Sequence, residues 1–207
     1  LPGSIEVVWK TDLPSRGSVS WLDGQEWKRI EAPGRSTRHV VVIRDLQPDT
    51  VYQYRIHAPN NSVLASSSFR TAPSPGTDRR VHVDFMGDTR RSRKDVIKEM
   101  SQILEKDAPE LLVHLGDFAD RFGKPAEYDR EFFRPFKNVL QSTPLYGVLG
   151  NHDATWRTGF ADAFPAYVPD KKGRKAWYSF EYGPIHVTVL DTSSDFAKGS
   201  PQNKWLD

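Results

Sequence analysis

The chain has 207 residues, 37% hydrophobic and 27% charged, with a formal net charge of +2. That balance suits one large globular domain or two modest ones, and it argues against disorder and against nucleic acid as the default partner, because acids and bases nearly cancel and no basic block occurs. Cysteine is absent, which excludes disulfides, thiolate catalysis and Cys-type zinc sites, and no apolar run approaches the roughly 20 residues that span a bilayer.

Residues 1–72 read as β structure. The runs IEVVW, GSVSWL, RHVVVI, VYQYRI and VLASSSF alternate or are β-branched, and turn clusters such as LDGQ and LQPDT separate them. Short strands at that spacing imply a small sandwich. The stretch TAPSPGTDRR crowds Pro, Ser and Gly together, so residues 73–80 read as a linker. After it the pattern changes. VHVDFMGD is a strand, RKDVIKEMSQILEKD places apolar residues 96, 97, 100, 103 and 104 at helical spacing, and ELLVHLGD is a strand again. PAEYDREFFRPFKNVLQ reads as a second helix, PLYGVLGNHD as a third strand and loop, and AWYSFEYG with PIHVTVLDT as a hairpin continuing the sheet. Strands alternating with helices over 81–207 imply an α/β layered domain with a largely parallel core.

Three of these apolar strands end in Gly-Asp, Gly-Asp and Gly-Asn. That places Asp88, Asp117, Asn151 and His152 at one edge of one sheet, the carboxyl edge, where open α/β sheets bind ligands. Two carboxylates gathered there repel unless a cation stands between them. An oxygen-rich set with an imidazole suits Mn, Fe or Zn, and a carboxylate such as Asp117 can bridge two ions about 3.5 to 4 Å apart. Such a pair generates hydroxide near neutral pH and clamps an in-line displacement, which is phosphoester chemistry.

Two resemblances follow from these residues. Leu46, Pro48, Thr50 and Tyr52 resemble the corner of a fibronectin type III domain. The series GD, GDxxD, GNHD resembles the calcineurin-like metallophosphoesterases, and the β domain before it resembles the purple acid phosphatase-like branch. Gln202, Trp205 and Leu206 are similar to that branch's Gly-x-x-Gln-x-x-Trp-Leu helix. The resemblance implies that Asp88 binds a first metal, Asp117 bridges, Asn151 binds a second, and His152 faces the phosphate and leaving group. It implies two ions (Fe, Mn or Zn), a small phosphomonoester or phosphodiester substrate attacked by metal-bound hydroxide, and an extracytoplasmic or secreted location.

The chain departs from the family pattern in three places. Arg90 stands where the superfamily's Asp-x-His has its histidine, a histidine that the purple enzymes also lack. Asp120 stands where the purple enzymes have a metal-binding tyrosine, so Asp120 or water completes the first ion and the tyrosinate colour is expected to be missing. The family's later VxxH and GHxH motifs would follow Asp207, and a further C-terminal segment is expected to supply those imidazoles. The competing reading is a phosphoesterase-fold binding or scaffold protein with weak or no turnover. His82, His114 and His186 read as core or sheet histidines, Asp153 as a residue that orients the His152 loop, and Asp191 as structural. Phe132, Phe133 and Phe136 read as core. Arg90, Arg91 and Arg121 read equally as phosphate clamps or as solvated loop residues.

Overall fold

The computed structural model describes residues 2–91, 93–120, 124–164 and 175–207. It divides into two compact units, Leu1–Arg80 with Glu181–Ile185, and Val81–Phe180 with His186–Asp207. In the first, β1 (Ile5–Ser15) pairs antiparallel with β4 (Ser36–Ile43). A second sheet runs β3 (Glu26–Glu31), β2 (Ser18–Asp23), β5 (Val51–His57), β6 (Val63–Arg70). In β5 the side chains of Tyr52, Tyr54 and Ile56 are buried and those between them exposed, because alternate residues of a strand face opposite sides. Val7, Trp9, Val41 and Ile43 of one sheet share a core with Val19, Ile56 and Phe69 of the other.

β3 is an addition to the sequence reading. All its residues are exposed, so no apolar alternation marks it, and a turn at Gly24 (φ +64°) folds it back onto β2. At the Leu-x-Pro-x-Thr-x-Tyr stretch, the Gln47 amide donates to the Tyr52 hydroxyl at 2.9 Å and the Thr50 hydroxyl to the Pro48 carbonyl at 2.8 Å. Part of the expected linker is tied down. The Gly76 N–H donates to the Gly183 carbonyl at 3.0 Å, and the Gly183 N–H to the Pro73 carbonyl at 3.3 Å.

The second unit is built on a parallel sheet, β7 (Val83–Met86), β8 (Leu111–His114), β9 (Leu145–Gly147), in that order. β8 lies in the middle and all its residues are buried, as expected of a strand covered on both faces. α1 (Lys94–Asp107) connects the first two strands and buries Ile97, Ser101 and Leu104. Those positions repeat at helical spacing, whereas Val96 and Ile103 point outward. α1 stops at Ala108 in a left-handed conformation (φ +50°), and Pro109 cannot continue it.

The stretch expected as one helix over 125–141 is broken. It forms α2 (Pro125–Tyr128), a π-helical turn Asp129–Phe133, and α3 (Lys137–Leu140). Pro135 has no N–H to donate and its ring crowds the preceding turn. The chain widens ahead of it, with the Arg134 N–H reaching the Asp129 carbonyl at 3.0 Å. Phe132 and Phe136 are thereby fully buried beside Phe118, Tyr128 and Phe160, with Phe133 packed at the edge of this core.

Beyond β9 lie a 3-10 turn Asp153–Trp156 and α4 (Arg157–Ala163). The hairpin β10 (Tyr178–Tyr182) and β11 (Ile185–Val189) forms its own two-stranded sheet instead of extending the parallel one. β9 is only three residues long, and side chains make the link where a ladder was expected. The Tyr178 hydroxyl donates to the Gly147 carbonyl at 2.8 Å, and the Phe180 ring stacks on Tyr146 with centroids 3.6 Å apart. α5 (Pro201–Leu206) is capped by Ser200. Its Gln202 accepts from the Asp191 N–H at 2.7 Å and donates to the Asp191 carbonyl at 3.0 Å.

Candidate active site

The carboxyl ends of β7, β8 and β9 lead directly into the loops that carry Asp88, Asp117 and Asn151–His152. Asp88 and Asp117 both have positive φ, +54° and +59°, a region that L-residues enter at a cost of roughly 1 kcal/mol and that Asp tolerates better than most. Two glycines let the second and third loops meet. A Cβ on Gly150 would lie 2.1 Å from the Asp117 nitrogen and 2.2 Å from its carboxylate oxygen, and one on Gly116 would lie 2.6 Å from the Gly150 Cα. At Gly87 a Cβ would meet only ordinary contacts, so Asp88 itself makes the turn out of β7.

The loops are stitched together by Asp153. Its fully buried carboxylate accepts from the backbone N–H groups of Asp117 at 2.8 Å, Gly150 at 3.0 Å and Ala119 at 3.3 Å, and from the Tyr128 hydroxyl at 3.0 Å. Burial pushes its pKa up, and the donors that surround it pull the other way. Asp153 therefore holds the Asp117 and His152 loops in place, the orienting role expected of it. His114, also fully buried, is stacked on Phe118 at 3.7 Å. Its Nδ1 accepts from the Gly116 N–H at 3.2 Å and its Nε2 lies 3.0 Å from the Thr89 hydroxyl. Burial pushes its pKa down to about 3, against the opposing pull of Asp117, so it is a neutral core residue. His186 lies exposed on β11.

Asp117 has both oxygens engaged. Oδ1 accepts from the His152 backbone N–H at 3.0 Å and Oδ2 from Arg90 Nε at 2.8 Å. Arg90 Nη2 is also 4.0 Å from Asp88 Oδ1, so one guanidinium stands between the two carboxylates expected to flank a first ion. The Asp117 bond raises the Arg90 pKa above its ordinary value, with burial opposing. Arg91 Nε pairs in the same way with Asp120 Oδ2. Asp120 Oδ1 is buried and, among the described residues, has no hydrogen-bond partner, an acceptor that suits a cation. Arg121 lies outside the described residues.

A metal fits these donors, but two ions do not fit easily. The position between Asp88 and Asp117 already holds a cation. Asn151, the open oxygen of Asp120 and the remaining lone pairs of Asp117 are the kinds of donor a single hard ion takes, although among the described residues no three of Asp88, Asp117, Asp120 and His152 bring donor atoms within 4.8 Å of one another. Arg90 is marked in the sequence as the residue in place of the Asp-x-His histidine and as a phosphate clamp or loop residue, but its pairing to Asp117 is a long-range contact that local pattern does not encode.

A separate cluster lies at the opposite end of β7. His82 Nε2 is 3.3 Å from both Asp84 and Asp107 carboxylates, and the three offer donor atoms within 4.8 Å of one another. Burial, then the Asp107 charge, raises the Asp84 pKa, while His82 lowers it. Sequence reasoning missed this cluster. Its signal was the His-x-Asp spacing on a strand, which puts both side chains on one face.

Residues 81–203 match the family model for calcineurin-like phosphoesterases. The chain belongs to that family. This calcineurin-like phosphoesterase is 26% identical over 199 residues to the "Probable inactive purple acid phosphatase 27" of Arabidopsis thaliana, covering 82% of this chain and 32% of that protein. It is 25% identical over 211 residues to the human "Acid phosphatase type 7", covering 94% of this chain and 47% of that protein. A purple acid phosphatase from yellow lupin (Lupinus luteus) seeds superposes with a TM-score of 0.79 at 17% identity, over 100% of this chain and 45% of that one. The chain thus spans from a third to about half the length of these proteins. The lupin likeness shows the fold: antiparallel β-sheets followed by a mixed α/β unit.

Proposed function

We propose that this chain forms part of a metal-dependent hydrolase acting on phosphomonoesters or phosphodiesters, with its centre at the carboxyl edge of β7, β8 and β9. The observation that carries the reading is the convergence of the Asp117 and His152 loops. Two glycines without room for a side chain allow it, and the bond from the His152 N–H to Asp117 closes it. Asp117, Asn151 and Asp120 are the residues that would hold an ion, with Asp88 beside them. A bound ion would supply Lewis acidity, placing positive charge against phosphoryl oxygens and making a water more acidic.

The chain's own residues do the rest. Asp153 fixes the His152 loop, so the imidazole is aimed from a stationary backbone. His152 stabilises charge on, or protonates, the leaving oxygen. Arg90 and Arg91 offer planar donors that match phosphate oxygens. The dinuclear form of this reading asks for a first ion held by Asp88 and Asp117, a second held by Asp117 and Asn151, and imidazoles from a further C-terminal segment. In this reading residues 1–72 are a fibronectin type III-like sandwich, 73–80 a linker and 81–207 the phosphoesterase domain, in an extracytoplasmic protein. No helix among the described residues is long and apolar enough to cross a membrane.

The competing reading is a phosphoesterase fold that binds without turnover. The arginine pairing of Asp117 and Asp120 favours it. The two are separated by assaying the full-length protein with p-nitrophenyl phosphate and bis(p-nitrophenyl) phosphate, adding Mn, Fe and Zn singly. Metal-dependent turnover lost in His152→Ala supports the enzyme. No turnover with any metal, together with phosphate binding, supports the binding protein.

A further inference from the structure

We propose that Arg90 is the first cation of this centre: its guanidinium takes the place of one metal ion between Asp88 and Asp117, so the site binds a single ion. The inference rests on the reading of Asp117 and Asn151 as metal-facing. Its basis is where the side chain stands. Nε lies 2.8 Å from Asp117 Oδ2 and Nη2 4.0 Å from Asp88 Oδ1. The Arg90 backbone N–H is also bonded to the Asp117 carbonyl at 3.1 Å, so the residue is anchored at both ends to the same partner. Only 28% of its side chain is exposed, and 8% of the Asp117 side chain, whereas Asp88 is 82% exposed and is the looser flank. This is a seated ion pair, where an exposed one would be worth little.

Charge supports the same conclusion. Apart from Asp153 and Glu131, which are bonded to backbone N–H groups, and counting only the three carboxylates that pair with Arg90 and Arg91, namely Asp88, Asp117 and Asp120, one negative charge is left over. A single divalent ion turns that into one positive charge, the same balance that three carboxylates reach with two divalent ions and no arginine. A guanidinium keeps its proton at every pH the protein meets, so this neutralisation is permanent. Arginine cannot, however, acidify a water as a metal does. A centre built this way retains its hold on phosphate oxygens while carrying half the Lewis acidity of a two-ion site.

The test is metal stoichiometry. Full-length protein stripped with chelator is titrated with Mn²⁺ by calorimetry, and the loaded protein is measured by plasma mass spectrometry. One ion per chain is expected for the wild type, two for Arg90→Ala, and one for Asp88→Asn. Asp88→Asn keeps the test decisive if Arg90→Ala does not fold, because a two-ion centre would lose an ion on that change. Two ions in the wild type, one in an Arg90→Ala variant with native circular dichroism, or none in Asp88→Asn each overturn the proposal and leave the metal reading standing. Absence of bound ion from every form overturns both.

Discussion

The two ends of the β7-β8-β9 sheet both collect ionisable side chains, and they differ in what holds them there. At the amino end, His82, Asp84 and Asp107 meet on ordinary backbone, with 45% of the His82 side chain and 52% of the Asp107 side chain open to solvent. At the carboxyl end, Asp88 and Asp117 sit at positive φ, Gly150 has no room for a methyl group, and a buried carboxylate organises four loop amides. Opposite charges drift together in water at little cost, so proximity of donors alone says little. Strained backbone and glycine-only contacts have to be held in place by the surrounding fold, and such strain concentrates at functional sites.

Four experiments would break or sharpen that contrast. The largest effect is expected from Gly150→Ala, since its Cβ would fall within 2.2 Å of two Asp117 atoms. The chain must move or the loop must open, and urea unfolding should show a loss of about 3 kcal/mol. A loss under about 1 kcal/mol would mean the two loops are not locked. His152→Ala should lower kcat by ~10²-fold while bound metal stays within a factor of about two. Metal analysis alongside kinetics checks it, and parallel loss of both would make His152 a ligand.

A smaller effect belongs to His114, beneath the site. Its pKa is near 3 in the fold and 6.5 otherwise, so the unfolded chain binds its proton first as the pH falls. Its contribution to stability is therefore complete above about pH 6.5 and is lost progressively toward pH 3, at about 1.4 kcal/mol per pH unit. By pH 5 the loss should reach about 2 kcal/mol, and His114→Asn should flatten the slope of unfolding free energy against pH. The smallest effect is expected at the other end of the sheet. His82→Ala should cost under about 1 kcal/mol, as half-exposed ion pairs do, and leave the turnover of the proposed hydrolase unchanged. A stability loss beyond about 2 kcal/mol would give that trio a structural weight its exposure does not suggest.

What could be read in advance follows the range of the forces involved. β5 and β8 were legible because burial on one face or both leaves a direct mark on residue pattern. The meeting of the Asp117 loop with the Asn151–His152 loop was legible because glycine is required where those two backbones approach each other. β3 was not, since an exposed edge strand buries nothing and is held by its neighbour's backbone. The break at Pro135 was visible as a residue, yet the apolar spacing on either side suggested continuity. The Arg90–Asp117 pair joins residues on different strands' loops, and nothing in the local pattern of either loop specifies a partner.

The contact between Gln202 and Asp191 has a use of its own. A side-chain carboxamide presents its oxygen and one N–H on the same side, so Gln202 engages both the N–H and the C=O of Asp191 as a residue of an antiparallel neighbour would, just beyond the end of β11. The clasp makes the Asp191 amide a reporter. Its hydrogen should exchange slowly while α5 is docked and at the rate of an open peptide once the helix lifts away. Measured by nuclear magnetic resonance, that single amide would read out the attachment of the last helix without any label or substitution.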